Sequence, residues 1–117
     1  MKHTVSIKEN YVFRRLYSKG KSAVSPYLAV YVRRNGGAGN RLGLTVSTKL
    51  GCAVVRNKIR RRLREIYRIH EDELRPGWDM VIVARVKAAH GRFSALERSY
   101  LALTDKLGVR TGGGERT

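Results

Sequence analysis

The sequence predicts a single α/β sandwich, in which helices cover a small mixed sheet. Three observations predict this fold. Segments 26–34 and 41–48 alternate apolar and polar residues, as strands with one buried face do. Residues 78–86 are apolar on both faces, as in the middle of a covered sheet. Apolar residues recur every three or four positions before, between and after these strands, so the order is helix, strands, helix, strand, helix.

The first helix is predicted within residues 6–20, SIKENYVFRRLYSKG. Ser6 with Glu9 three residues later predicts a capping box, in which each side chain satisfies the free backbone N–H of the other residue. Asn10 is an alternative cap. Gly20 is predicted to end the helix in the left-handed conformation.

The strongest helical pattern covers residues 53–70, where an apolar stripe recurs at helical spacing. A last amphipathic helix is predicted to begin at a second capping box, Ser94 with Glu97, and to end at Gly108. Residues 1–110 are therefore expected to form one domain. The glycine-rich residues 111–117 are expected to form a disordered tail.

The charge composition is extreme. Lysine and arginine number 25 against nine acidic residues, which gives a formal net charge of +16. Such a field requires an anionic partner, either nucleic acid or an anionic membrane. No apolar run approaches the roughly 20 residues that span a bilayer, no signal peptide is recognisable, and a single cysteine excludes an internal disulfide. A cytoplasmic nucleic-acid-binding protein is expected.

The charge is concentrated in the second helix. Between Arg56 and Arg68 seven of thirteen residues are cationic and only Glu65 is acidic. Successive arginines four residues apart repel one another, which costs a few tenths of a kcal/mol per pair. A solvated charged face is the alternative, but a face that served only solubility would mix in glutamates. The pattern therefore favours phosphates against this face.

Aromatic residues indicate a second surface. Tyr27 and Tyr31 are placed on one face of their strand, next to small residues on the matching face of the following strand. Bases of a single strand stack on such rings at roughly 1–3 kcal/mol each. The small residues are expected to leave an open shelf beside the tyrosines. Phe13 and Tyr17 of the first helix are expected to line one side of this shelf. The alternative is that these rings are core; for Tyr31 exposure is favoured, because the other face of its strand carries three aliphatic residues.

No constellation for protein-based hydrolysis is apparent. A nuclease needs a metal-binding acidic cluster or a general base with a partner. Asp79 is interpreted as a turn residue, and Glu71, Asp72 and Glu73 as a solvated helix end. No catalytic residue and no metal ligand is assigned in this chain.

Residues 49–68, KLGCAVVRNKIRRRLREIYR, resemble the Arg-Asn-Arg segment of the ribonuclease P protein subunit, written here as Arg56-Asn57-Lys58. Three further segments resemble the same family in the same order, namely YVFRRLYSKGKS, RLGLTVSTKLGCAVVRN and GWDMVIVAR. The resemblance covers about residues 8–107. Lys58 departs from the arginine that the family often has, and the charge is kept.

The resemblance implies the fold order α-β-β-β-α-β-α, like the second domain of small-subunit ribosomal protein five. It also implies a left-handed βαβ crossover, against the usual right-handed preference. By the same resemblance, the protein binds a catalytic RNA that removes the 5′ leader from precursor tRNA, and it lowers the magnesium requirement. Mg²⁺ would be bound mainly by RNA and not tightly by this chain. One protein monomer per RNA is expected.

The resemblance also assigns site residues. Contacts with the catalytic RNA are expected from Arg56, Asn57, Lys58, Arg60, Arg61, Arg64 and Arg68. The cleft for the single-stranded leader is expected to involve Phe13, Arg14, Tyr17, Tyr31, Ser47 and Lys49. Two alternatives remain at this stage: a ribosomal or other structural RNA-binding protein, and a stand-alone protein nuclease.

Overall fold

The computed structural model describes residues 4–111. Five strands and three α-helices are present in this part of the chain: β1 (Thr4–Ser6), α1 (Asn10–Lys19), β2 (Lys21–Val24), β3 (Leu28–Arg34), β4 (Asn40–Thr45), α2 (Ala53–His70), β5 (Trp78–Ala84) and α3 (Phe93–Leu107). Three short 3-10 turns lie between them, at Thr48–Leu50, Glu71–Glu73 and Val86–His90.

The strands form one mixed sheet in the order β1-β4-β5-β3-β2. β4 and β5 are parallel neighbours joined through α2, while β3 pairs antiparallel with both β5 and β2. The predicted mixed sheet with three helices is confirmed, and the chain adds one strand, β1, before the first helix. The left-handed crossover through α2 stays a prediction.

Helices cover the two faces of the sheet unequally. On one face α2 and α3 bury the larger core, which includes Leu28, Val30 and Val32 of β3 and Leu63 of α2. On the other face α1 packs alone over a smaller core. That core consists of Ile7, Val12, Leu16 and Val81, with Phe13, Tyr31 and Val83 packed against it. Because α1 covers only part of its face, the remainder is left for a site.

The start of α1 differs from the prediction. Ser6 ends β1, where it pairs with Leu42 in parallel register, so it is not available as a cap. The helix begins at Asn10, and its N-cap residue Glu9 makes no side-chain capping hydrogen bond. The predicted capping box is therefore wrong, because a strand too short to show alternation uses the same residues.

The second capping box is also wrong. α3 begins at Phe93 after Arg92, without a side-chain cap, and Glu97 is bonded to His70 instead. Gly108 does end α3 in the left-handed conformation, with φ +74°.

Gly20 ends α1 in an extended conformation, with φ −78°, and not in the predicted left-handed one. A Cβ at this position would lie 2.6 Å from the carbonyl oxygen of Leu16 and 2.9 Å from that of Val32. Glycine is needed here for a close approach of backbones.

Two acidic residues that were expected at the surface are buried. Asp79 lies within β5, where Arg41 contacts both of its carboxylate oxygens at 2.7 and 2.6 Å and Asn35 donates a third hydrogen bond. Glu71 accepts a hydrogen bond of 2.6 Å from the Thr4 hydroxyl. The interpretation of Asp79 as a turn residue and of Glu71 as solvated is wrong. Asp79 links the inner strands β4 and β5 through Arg41, and Glu71 holds the edge strand β1 through Thr4.

The chain beyond α3 returns to the turn after α2. Arg75 N–H donates to the carbonyl of Val109, and the Thr111 hydroxyl donates to the carbonyl of Glu73 at 3.0 Å. Residues 112–117, which make up most of the predicted tail, lie outside the described residues. Within 4–111, no helix combines the length and the apolar composition that crossing a membrane requires.

Candidate nucleic-acid interface

The second helix presents one apolar and one cationic side. Ile59, Leu63, Ile66 and Tyr67 are buried against the sheet and α3. Burial raises the pKa of the Tyr67 hydroxyl to about 12, so this residue is neutral at physiological pH. The opposite side cannot turn inward without burying charge, so the cations are held outward by the packing of the apolar stripe.

Most of the cations on this side have no acidic partner. Arg68 forms a bidentate pair with Glu65, with contacts of 2.6 and 2.8 Å, and this arginine lowers the pKa of the Glu65 carboxyl. Within residues 4–111, the other six cations between positions 56 and 68 make no ion pair with a carboxylate. The self-repulsion inferred from the sequence is therefore present in the fold.

Three of these six make neutral hydrogen bonds that set the direction of the side chain. Arg56 donates to the carbonyl of Gly51, Arg60 to the Asn57 side-chain oxygen, and Arg62 to the carbonyl of Gly91. Lys58, Arg61 and Arg64 are exposed and lack a partner within the described chain. We call these three residues the cationic face of α2.

A cleft lies between α1 and α2 at the edge of β4. β1 ends at Ser6, opposite Leu42, so the β4 edge from Gly43 to Thr45 is not covered by a strand. The cleft has a volume of about 230 Å³. Its walls are Ser6, Ile7, Phe13, Leu42, Gly43, Leu44, Arg60 and Arg64. Arg60 and Arg64, which were predicted to contact the catalytic RNA, thus lie at the cleft beside Phe13, which was predicted to contact the leader.

Gly43 permits this arrangement. A Cβ at Gly43 would lie 2.6 Å from Cε1 of Phe13, closer than carbon atoms approach. The Phe13 ring therefore rests on bare backbone at the floor of the cleft and occupies space that was expected to be open.

Three aromatic rings continue from the cleft across the sheet. Tyr17 and Tyr31 meet edge to face with centroids 5.0 Å apart, and Phe13 lies 6.5 Å from Tyr17. The Tyr17 hydroxyl is hydrogen-bonded to Thr45 of β4 at 2.8 Å. Tyr17 is 42% exposed, whereas Phe13 and Tyr31 are half-buried. We call Phe13, Tyr17 and Tyr31 the aromatic cluster; each ring has a packed side and an accessible side.

Tyr27 is not part of this cluster, contrary to the prediction. The Ser25 hydroxyl accepts the N–H groups of Tyr27 and Leu28, so β3 begins only at Leu28. Tyr27 instead packs beside Gly91, with the Lys87 ammonium 5.2 Å from its ring centroid. The strand was predicted to begin two residues too early, at residue 26, because a turn at Ser25 precedes it.

The remaining predicted leader residues lie at the surface around the cluster. Arg14 is exposed on α1. Ser47 and Lys49 are exposed just after β4, at the start and within the Thr48–Leu50 turn. Thr45 is one of the small residues expected beside the tyrosines, but its hydrogen bond to Tyr17 was not predicted.

No metal-binding cluster is formed by the described chain. Among residues 4–111, no three side chains of the His, Cys, Asp and Glu types converge in a way that could hold an ion. The chemistry that this surface can perform is charge neutralisation by arginine and lysine together with stacking on aromatic rings.

Comparison with known proteins identifies the family of this chain. A family model described as Ribonuclease P matches residues 1–108. The ribonuclease P protein component of Clostridioides difficile (strain 630) is 36% identical over 107 residues, which are 91% of this chain and 94% of that protein.

Solved structures show the same fold. The RNase P protein of Staphylococcus aureus superposes with a TM-score of 0.83 at 34% identity, over 90% of this chain and 96% of that chain. The RNase P protein from Thermotoga maritima gives a TM-score of 0.76 at 31% identity, over 83% and 92% of the two chains. This chain therefore belongs to the ribonuclease P protein family, whose members are the protein components of a ribonucleoprotein nuclease, act with the RNase P RNA and serve tRNA 5′ processing.

Proposed function

We propose that this protein binds the catalytic RNA of ribonuclease P through the cationic face of α2 and holds the single-stranded 5′ leader of precursor tRNA in the cleft. It thereby lowers the magnesium requirement of leader removal. The observation that carries the proposal is the set of six α2 cations without a carboxylate partner among residues 4–111. One protein monomer per RNA, in the cytoplasm, is the arrangement we infer.

Electrostatics favour an RNA on the cationic face. Lys58, Arg61 and Arg64 are exposed cations on one side of one helix. Uncompensated like charges at this spacing raise the energy of the free protein. Phosphates remove that repulsion and release counterions from the RNA, which drives binding. Arginine suits this task because its planar guanidinium contacts two phosphate oxygens at once.

The cleft has the features of a single-strand site. Arg60 and Arg64 lie on one wall, and Phe13 lies on the other. Cations along a groove follow a nucleic-acid backbone, while rings accept the bases by stacking in a sequence-tolerant way. Leaders differ in sequence between tRNAs, so a reader of this kind fits the leader better than one that recognises base edges.

The hydrolytic step is assigned to the RNA. The described residues form no cluster that could hold a catalytic Mg²⁺. We infer that Mg²⁺ is bound mainly by RNA. The protein lowers the ion requirement because its own cations replace part of the counterion atmosphere of the two RNAs.

The test is reconstitution with the catalytic RNA. Leader removal is measured against Mg²⁺ concentration, with and without protein, on precursor tRNA; binding is measured for precursor and mature tRNA. We expect the protein to shift cleavage to lower Mg²⁺ and to favour the precursor. Phe13→Ala and Tyr17→Ala should each reduce the preference for precursor by about 1 kcal/mol or more, the lower end of one stacked base.

Tyr11→Ala is the matched control. Tyr11 is also an exposed tyrosine of α1, but Arg15 stacks on its ring at 5.8 Å and it does not line the cleft. Its removal should leave the precursor preference intact. Equal losses of precursor and mature tRNA in the Phe13 and Tyr17 variants would show that these rings are only core. An unchanged Mg²⁺ profile would favour a structural RNA-binding protein, and cleavage by protein without RNA would favour a stand-alone nuclease.

A further inference from the structure

We propose that Arg85, Lys87 and Arg92 form a second basic surface that binds the phosphate backbone of the catalytic RNA beside α2. This inference rests on the proposed function, because it assigns a further part of the protein to the same partner.

The second basic surface adjoins α2 on the side away from the cleft. The Val86–His90 turn packs against α2 and against the Thr48–Leu50 turn. Arg62 of α2 donates to the carbonyl of Gly91 at 3.0 Å, which fixes the two segments side by side. Lys58 and Arg62 share this edge of the helix, whereas Arg60 and Arg64 share the edge that lines the cleft. The cations of α2 and of the second basic surface therefore form one continuous field.

The charges of this surface are uncompensated. Arg85, Lys87 and Arg92 are all exposed, and none pairs with a carboxylate within residues 4–111. Three of the acidic residues, Glu73, Glu97 and Asp105, are instead engaged with His70 and Arg110.

The surface is also held rigidly by neutral contacts. Arg85 N–H donates to the carbonyl of Tyr27 at 2.9 Å, and its guanidinium donates to the carbonyl of Ser25 at 2.9 Å. The Lys87 ammonium lies 5.2 Å from the Tyr27 ring centroid. A Cβ at Gly91 would lie 2.9 Å from Cε1 of Tyr27, so glycine allows the loop to close on this ring. A loop fixed in this way loses little conformational entropy when phosphates bind.

The position of the surface selects the catalytic RNA as its occupant. The leader is a short single strand, and the cleft that suits it lies at the opposite edge of α2. An RNA that covers the cationic face of α2 and continues past Lys58 reaches Arg85, Lys87 and Arg92 without entering the cleft. A large folded RNA has the extent to contact both.

The experiment measures binding of the full chain to the catalytic RNA alone, without precursor tRNA, over a range of salt from about 50 to 200 mM. The test variant is Lys87→Ala with Arg92→Ala, which leaves the Arg85 anchor in place. We expect weaker binding, most clearly at low salt, and a log–log salt slope reduced by up to about 1.8, since each phosphate contact contributes about 0.9. Replacement by Lys87→Arg with Arg92→Lys should restore the slope.

Two single variants make the outcomes distinct. Lys106→Ala removes an exposed cation from the other end of α3 and should leave the slope unchanged. Arg61→Ala reports on the cationic face of α2. If the double variant behaves like Lys106→Ala while Arg61→Ala lowers the slope, the second basic surface is overturned and the proposed function stands. If the double variant changes only the preference for precursor over mature tRNA, the occupant is the leader and this inference is wrong. If Arg61→Ala also has no effect, the proposed function fails as well.

Discussion

The two ends of α2 carry charge in opposite ways. In its first two-thirds Arg56, Lys58, Arg61 and Arg64 stand without a carboxylate partner in the described chain. The last residue of α2, His70, is instead paired with carboxylates. The two ring nitrogens of His70 each lie 2.9 Å from a carboxylate oxygen, one of Glu73 and one of Glu97.

The ion pairs at the end of α2, which we call the paired end, continue to the last turn of α3. Glu73 also accepts from Arg110 at 2.6 Å, and Arg110 reaches Asp105 at 3.1 Å. These contacts join α2, α3 and the chain after α3. Within residues 4–111, the paired charges at the end of α2 fasten elements of the fold, and we propose that the unpaired charges of α2 serve RNA binding. Substitutions at the paired end should therefore change folding, and substitutions at the unpaired end should change binding.

The largest expected effect lies at the paired end. Arg110→Ala removes a guanidinium that is 12% exposed and leaves Glu73 with His70 alone. We expect the free energy of unfolding to fall by about 2 kcal/mol, because a partly buried pair is broken and one carboxylate loses its partner. Urea unfolding measures this, and Lys106→Ala is the matched control, with an expected change within about 0.5 kcal/mol. A loss of RNA affinity in folded Arg110→Ala protein would contradict the assignment of folding to the paired charges and of binding to the unpaired ones.

A smaller effect is expected from the titration of His70. Burial opposes protonation of this ring, but the hydrogen bonds to Glu73 and Glu97 outweigh it and raise the pKa of His70. Two carboxylate neighbours also require both ring nitrogens to donate, which only the imidazolium does. The contribution of protonated His70 to the free energy of unfolding is fully present below the unfolded-state pKa of about 6.5. It is lost as the pH rises through the higher pKa of the folded protein.

The measurement is the free energy of unfolding as a function of pH for the wild type and for His70→Gln. We expect the difference between the two proteins to be larger at pH 6 than at pH 8 or above. A difference independent of pH over this range would mean that the ring is not protonated in the folded protein.

The sequence predicted the elements whose pattern is long and regular. α2 covers Ala53–His70, the same residues as predicted, because its apolar stripe runs through five turns. β1 was missed, since three residues at a sheet edge show no periodicity and their pairing with β4 is remote in sequence. Both capping boxes failed for a related reason. A spacing of Ser and Glu permits a cap, but tertiary partners such as Leu42 for Ser6 and His70 for Glu97 decide whether one forms.

The site was predicted in part. Local patterns placed Arg60 and Arg64 on the outside of a helix and Phe13 and Tyr31 near a shelf. Phe13 meets the two arginines at one cleft because the sheet order sets β4 beside β5, with α1 above them. No local pattern encodes that juxtaposition. The burial of Asp79 likewise depended on Arg41, 38 residues away.

The most direct test of the division between paired and unpaired charge is the salt dependence of binding to the catalytic RNA. The variant Lys58→Ala with Arg61→Ala removes two exposed, unpartnered cations that do not line the cleft. We expect the log–log slope to fall by up to about 1.8, while the free energy of unfolding does not decrease. A slope equal to that of the wild type, or a loss of stability in place of a loss of binding, would contradict it.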